Sequence, residues 1–281
     1  MDTRDRIEAN RALWQRWAEL HVPSAFYDVE GFVADPASRP FDRIVREVLG
    51  DISGLRALHL QCHFGLDTLR LALMGAEATG VDFSPTAIAA ARDLSARTGI
   101  PATFVEAEVT ALPDEVPPGS FDLVFTSYGV ISWLPDLAPW ADSIARRLAP
   151  GGVLRMVEAH PSLWIFDEES TDPELRVRYS YFDTAPLEWE EHGSYAAPGS
   201  EYTGTSHSWQ HTMEEIVGVL LRAGLVLEDL HEYPLIAWRH MPHMVEAEPG
   251  LWQLPPGSLE VPLMFSIAVR KPSDGTAGGT A

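Results

Sequence analysis

The stretch RALHLQCHFGLDTLRLALMGAEATGVDFSPTAIAAAR, residues 56–92, decides the fold. An apolar run from Leu55 to Leu60 meets a polar turn, Gln61-Cys62-His63-Phe64-Gly65. Leu66, Leu69 and Leu73 then recur at helical spacing, and Gly75 is placed as the stop. A second short run, Ala78 to Val81, closes on an acid, Asp82. Strand, turn, helix, strand and acid form the layout of a nucleotide half-site in an open α/β sheet. Helix amides face a ligand from below, and an acid about twenty residues on can hold a ribose diol. A dinucleotide site needs G-x-G-x-x-G so that backbone can approach a pyrophosphate. Here Gly65 alone remains, with Gln61 and His63 at glycine positions, so a ligand without phosphates fits better.

Downstream the same alternation continues. Ser84 is placed to cap a helix, with Pro85 at its first position, Ile88, Ala91 and Leu94 inward and Gly99 as its stop. A third strand, Ala102 to Val105, runs into Glu106-Ala107-Glu108-Val109. Phe121 to Thr126 reads as a fourth strand ending in Ser127-Tyr128-Gly129. Asp136 can cap a helix carrying Leu137, Trp140, Ile144 and Leu148 at helical period, with Pro139 tolerated in its first turn. After Ala149-Pro150-Gly151-Gly152, a fifth strand from Val153 to Val157 ends in Glu158-Ala159-His160. The C-terminal ends of parallel strands face the ligand crevice, which places Glu158 and His160 well.

These motifs resemble the class I S-adenosylmethionine (SAM)-dependent methyltransferases. In that family the first strand ends in an acid followed by a glycine-rich turn. This chain has His59 for the acid, Gln61 and His63 for two glycines, Cys62 as in many members, and Gly65 for the last glycine. FDLVFT resembles the family's fourth motif, and Ala149-Pro150-Gly151-Gly152 its L-x-P-G-G turn. The resemblance implies a seven-stranded, mostly parallel Rossmann-like sheet with an antiparallel last strand and helices on both faces. It implies SAM as cofactor and S-adenosylhomocysteine (SAH) as product. Gln61, Cys62, His63 and Gly65 would form the cofactor turn, and Asp67 would meet the SAM ammonium or simply complement the helix dipole. Asp82, with Phe83 beside it, would hold the ribose. Glu108 would receive the adenine amino group, the Val109 amide would contact the ring, and Ser127 would lie beneath the methyl group.

Outside this core, residues 1–49 read as an N-terminal helical lid. Residues 3–20 form an amphipathic helix with Ile7, Leu13, Trp14, Trp17 and Leu20, and Phe26, Tyr27 and Phe32 follow. Residues 50–270 hold the main domain, and residues 161–210, acidic and aromatic with turn residues between short β-like runs, read as an inserted antiparallel piece covering the substrate. Thr212-x-x-Glu215 is a capping box for a helix with Ile216, Leu220 and Ala223 inward and Gly224 at its end. Leu225 to Leu230 and Pro262 to Arg270 are the last strands, and residues 271–281 read as a disordered tail.

With 20 Lys and Arg against 41 Asp and Glu, the net charge of −21 opposes phosphate backbones and anionic membranes, so nucleic acid is not the expected partner. Cys62, the single cysteine, excludes an internal disulfide and reads as a small residue lining the turn. No apolar run approaches a membrane span, and the charged, amphipathic N-terminus does not read as a signal peptide, so a cytoplasmic protein is expected. His207 and His211, and His240 and His243, have metal-like spacing but fall in strand or loop without an acid cluster, so no metal is expected. The expected function is methyl transfer to an oxygen or nitrogen of a small molecule. His160 is the first choice for a general base, its rival a structural histidine bonded to backbone, and Tyr27, Tyr128, Trp133, Trp164 and Trp209 are candidate substrate contacts. Two alternatives remain at this point: a SAM- or nucleoside-binding sensor without transfer activity, motivated by the eroded glycine turn, and a SAM-dependent enzyme of another reaction type.

Overall fold

A computed structural model describes residues 1–171 and 174–273. Helix α1 spans Thr3–His21, its start closed by reciprocal caps between Asp2 and Asp5. Two short helices follow, α2 (Val29–Ala34) and α3 (Arg43–Leu49). The deciding stretch folds as strand β1 (Arg56–Leu60), helix α4 (Leu66–Leu73), strand β2 (Glu77–Asp82) and helix α5 (Pro85–Thr98). Next come β3 (Thr103–Glu106), β4 (Phe121–Ser127), helix α6 (Ala138–Arg147) and β5 (Leu148–Ala159). A hairpin of β6 (Leu187–His192) and β7 (Thr203–Ser208) precedes helix α7 (Met213–Arg222) and strand β8 (Val226–Tyr233). A ribbon of β9 (Val245–Glu248) and β10 (Leu251–Gln253) leads to β11 (Met264–Arg270).

Seven strands make one sheet in the order β3-β2-β1-β4-β5-β11-β8. Strands β1 to β5 pair in parallel, and β11 runs antiparallel to both neighbours. Chain order reverses between β1 and β4, so the switch point of the sheet lies above their C-terminal ends. Leu58, Leu60, Val124, Leu154 and Met156 pack under α6 and α7 with Trp140, Ile144, Ile216 and Leu220. Ala57, Leu123, Phe125, Val153 and Val157 face the other way, against Ile44, Val45 and Leu49 of α3. Burial on both faces is why these strands read as unbroken apolar runs. Helix α3, grouped above with the N-terminal segment, is part of this packing.

Several local expectations shift by a residue or a partner. Asp136 Oδ1 accepts the Ala138 amide at 2.9 Å, one residue ahead of the helix N-cap, Leu137. Thr212 Oγ1 accepts the Glu215 amide at 3.1 Å, but the Glu215 carboxylate turns to His211 Nδ1, also at 3.1 Å. Only the Thr212 half of the capping box forms. Strand β5 begins at Leu148, paired with Phe121, and the next pair is Leu123 with Val153. Residues 149–152 are therefore extruded as a bulge inside the strand, with Gly151 at φ +80°. A Cβ on Gly152 would sit 2.8 Å from the Phe121 carbonyl oxygen, which explains the second glycine.

The inserted piece contains the β6–β7 hairpin, and it docks on α1. Asn10 Nδ2 donates to the His207 carbonyl at 2.7 Å, while the His207 amide donates to Asn10 Oδ1 at 2.8 Å. Trp17 Nε1 donates to the Gly193 carbonyl at 3.0 Å. The β9–β10 ribbon falls where the sequence reads as a loop, since Pro and Trp there mask alternation. Lys271, placed above in the tail, donates from Nζ to the carbonyls of Ala145 and Leu148 at 2.7 and 2.8 Å. Residues 274–281 of that tail lie outside the described residues. Among the described residues no helix is long and apolar enough to cross a membrane.

Candidate functional site

The turn after β1 keeps a glycine-like backbone without the glycines. Gln61 and His63 both have φ +52°, the left-handed region that glycine enters at little cost. Gly65, at φ +80°, leads into α4, and a Cβ there would lie 2.5 Å from the Phe104 ring and 2.8 Å from Ala91 Cβ. Cys62 packs beneath the turn, where a Cβ on Gly80 would meet its Sγ at 2.8 Å. Burial pushes the Cys62 thiol well up, so this residue is packing material and not a nucleophile. His59 stands 2.9 Å from Thr68 Oγ1, and burial lowers it to about 4, leaving a neutral imidazole at the strand's penultimate position.

Asp82 ties two turns together. Its Oδ2 accepts the His63 amide and its Oδ1 the Ser84 amide, both at 2.9 Å. Burial raises this carboxyl to about 6 against the pull of those two amides. Each oxygen keeps a further lone pair, so a ribose diol has acceptors left to meet.

Glu158 does the corresponding work for the turn after β4. Its Oε1 accepts the amides of Gly129 and Ala159 at 2.5 and 2.7 Å, and its Oε2 the Val130 amide at 2.8 Å. Burial still holds this carboxyl above its ordinary range. Tyr128, at φ +48°, begins that turn in a strained conformation. Gln61 Nε2 donates to the Val130 carbonyl at 2.9 Å, so the two turns are joined at the switch point.

Between these turns and α1 runs a groove with a cavity volume of about 50 Å³. Gln61, Asp82, Phe83, Glu108, Val109 and Trp133 border it from the sheet side, and Arg11 and Trp14 from α1. The Arg11 guanidinium pairs with Glu108 and lies 5.3 Å from the centroid of the Phe83 ring. A ligand-sized pocket has a volume of roughly 300 Å³ or more, so Arg11 and Trp14 must swing aside to admit a nucleoside. A wider cavity of about 210 Å³ lies between α6 and Thr110–Leu112, and no residue of either turn lines it.

Over the β1 turn sits a cluster of rings. Trp14 packs edge-on against Trp17, His21, His63 and Trp133 at centroid distances of 5.1, 6.1, 5.5 and 5.2 Å. His21 Nδ1 stands 3.3 Å from His63 Nε2. Tyr27 joins through His21, His63 and Phe64, and its hydroxyl meets that of Tyr195. Burial lowers His21 to about 4 and His63 well below its ordinary value, so both rings are neutral.

The remaining expected residues divide. Trp133 borders the groove and Tyr27 belongs to the ring cluster above it. Tyr128 points instead to the start of α3, donating to Asp42 Oδ2 at 2.5 Å. Trp164 lies against Trp238 and His240, with centroids 6.5 and 5.2 Å away. Trp209 is buried, its amide donating to the Ser132 carbonyl at 2.8 Å. Ser127 closes β4 opposite Val157. Asp67 is engaged by Arg70 at 2.5 Å and does not border the groove.

His160 is a structural histidine by its contacts. Its Nδ1 accepts the Ser162 amide at 3.1 Å and also meets Ser162 Oγ at 2.7 Å, capping the turn Pro161–Ile165. Its Nε2 lies 2.9 Å from Glu232 Oε1, a contact without hydrogen-bond alignment. Among the described residues no group of three or more His, Cys, Asp or Glu side chains is arranged to hold a metal. Sequence reasoning missed Asn10, Arg11 and His21. With Trp14 and Trp17 they recur at helical spacing on one face of α1, a pattern that polar residues hid in a search for apolar periodicity.

The fold is that of the class I, Rossmann-like SAM-dependent methyltransferases. Residues 58–154 match a family model described as a methyltransferase domain. An uncharacterised methyltransferase of Synechocystis sp. is 35% identical over 147 residues, which cover 51% of this chain and 64% of that protein. A ubiquinone biosynthesis O-methyltransferase of Proteus mirabilis is 30% identical over 138 residues, 47% of this chain and 54% of that one. A SAM-dependent methyltransferase from Mesorhizobium loti superposes with a TM-score of 0.57 at 23% identity, covering 86% of this chain and all (100%) of that one. The chain thus spans less than two thirds of the length of these curated relatives.

Proposed function

We propose that this protein transfers a methyl group from SAM to an oxygen or nitrogen of a small-molecule acceptor. The observation that carries the reading is the groove at the switch point, which Asp82 at the end of β2, Glu108 after β3, Phe83 and Val109 all border. When bound, SAM supplies a sulfonium-activated methyl group that a lone pair of the acceptor displaces directly, leaving SAH. Asp82 would accept from the ribose hydroxyls and Glu108, once released by Arg11, from the adenine amino group. Phe83 and Val109 would flank the base.

The left-handed backbone at Gln61 and His63 removes the ground on which the sensor reading stood. Substitution of the glycines motivated the sensor reading, yet the turn they would have formed is retained. The chain's own contribution to rate is to align two reactants and exclude water, worth about 7–11 kcal/mol. A base is required only for an acceptor that must lose its proton. The acidic surface argues for a small acceptor over nucleic acid. The O-methyltransferase relative favours a hydroxyl among the acceptor atoms. Incubation with SAM and a panel of hydroxylated and amine acceptors, read as SAH released, should give turnover with at least one class. SAH binding without turnover across the panel would return the protein to the sensor reading.

A further inference from the structure

Two buried polar atoms beside the β1 turn have no hydrogen-bond partner: Gln61 Oε1 and His21 Nε2. Orphaned buried polar atoms are uncommon in native proteins, and two beside one turn are the kind of groups a ligand satisfies. Gln61 Nε2 is fixed on the Val130 carbonyl, which identifies the two ends of its amide and leaves the oxygen as a lone acceptor. His21 is fully buried, and its Nδ1 is engaged with His63 Nε2 at 3.3 Å. When His63 donates in that contact, the proton of His21 sits on Nε2, an N–H donor without an acceptor. Trp14 borders the groove and packs edge-on against both imidazoles, so its displacement would open the groove towards them.

An acceptor oxygen on the turn and an N–H donor on the lid match the two ends of a zwitterionic amino acid. Asp67, the residue the family resemblance offers for the ammonium, is held by Arg70 instead. We propose that Gln61 Oε1 receives the ammonium and His21 Nε2 the carboxylate of the amino-acid end of SAM and SAH. This rests on the methyltransferase reading above and extends it. Helix α1 then becomes part of the binding site, and the protein selects nucleosides that carry an amino acid over those that do not.

The test compares SAH with 5′-methylthioadenosine, which has the same nucleoside and thioether but no amino-acid end. Both are titrated calorimetrically into the wild-type protein, His21→Phe and Gln61→Asn. Phenylalanine keeps the ring volume, and asparagine tolerates the left-handed backbone while withdrawing the amide. Wild-type protein should bind SAH at least tenfold tighter than methylthioadenosine. Each variant should lose roughly tenfold or more for SAH, the worth of a hydrogen bond to a charged group, with methylthioadenosine changed less than twofold. Unaltered SAH preference in both folded variants would overturn the assignment while leaving the methyltransferase reading intact. Failure of wild type to bind either nucleoside would retire both. The variants are independent, so one that fails to fold leaves the other decisive.

Discussion

Glu158→Ala is expected to destabilise the protein by roughly 3 kcal/mol, because it strands two buried backbone amides and one half-buried one at about 1–3 kcal/mol each. Those amides belong to Gly129, Val130 and Ala159. Against a typical total stability of about 5–15 kcal/mol, such a loss is a large fraction. Glu158→Gln provides the internal control. With its oxygen in the Oε1 position, glutamine keeps the bonds from Gly129 and Ala159 and loses only that from Val130. Its cost should be about a third of that for alanine. Urea unfolding of the three proteins gives the comparison, and equal midpoints for Glu158→Ala and wild type would show that the carboxylate does not organise the turn. The damage should spread, since the Val130 carbonyl accepts from Gln61 and so couples the β4 turn to the β1 turn.

The second large effect is loss of stability on mild acidification. Burial lowers His21 and His59 to about 4, from an ordinary 6.5. Between those limits the unfolded chain takes up protons that the native state refuses, so stability falls as pH drops from about 6.5 to 4. Each of the two buried rings contributes on the order of 3 kcal/mol over that range. His63 and His240 are shifted the same way, His240 to about 4, and add to the loss. Asp82 acts with the opposite sign. Its carboxyl is raised to about 6, so the native state binds the proton first and regains a comparable amount as pH falls through 6. Glu158 and Glu168 are raised as well and act with Asp82, but the histidines outweigh these carboxylates, and urea midpoints measured at pH 7.5 and 4.5 should differ in favour of the higher pH. His59→Asn should flatten the curve. A midpoint that rises on acidification would mean these rings are charged in the native state.

Most of the sheet was legible because its central strands are buried on both faces and its helices carry orthodox start and stop residues. Ser84, Pro85 and Gly99 bracket α5 within the chain itself, and no tertiary contact overrides them. The cofactor turn was harder to read. Gln61 and His63 look like losses when judged by side chain, whereas their backbones occupy the conformation the missing glycines would have taken. The lid was legible only as an amphipathic helix. Arg11 reaches Glu108 across 97 residues of sequence, and Asn10 reaches His207 across 197, distances over which spacing rules carry no information. His160 was attractive because strand ends face the crevice. Its Nδ1 is committed to Ser162, two residues on, and its Nε2 lies beside Glu232 of β8, whose side chain only the folded sheet brings near.

The central claim is that the groove above β1, β2 and β4 holds a SAM-type nucleoside with Asp82 on its sugar. Thermal unfolding of wild-type protein and Asp82→Ala in the presence of SAH tests it most directly. Saturation at about 100 times the dissociation constant should add about 2.7 kcal/mol to wild type and nothing to the variant. An unshifted wild-type transition, or an equal shift in both proteins, would contradict the account.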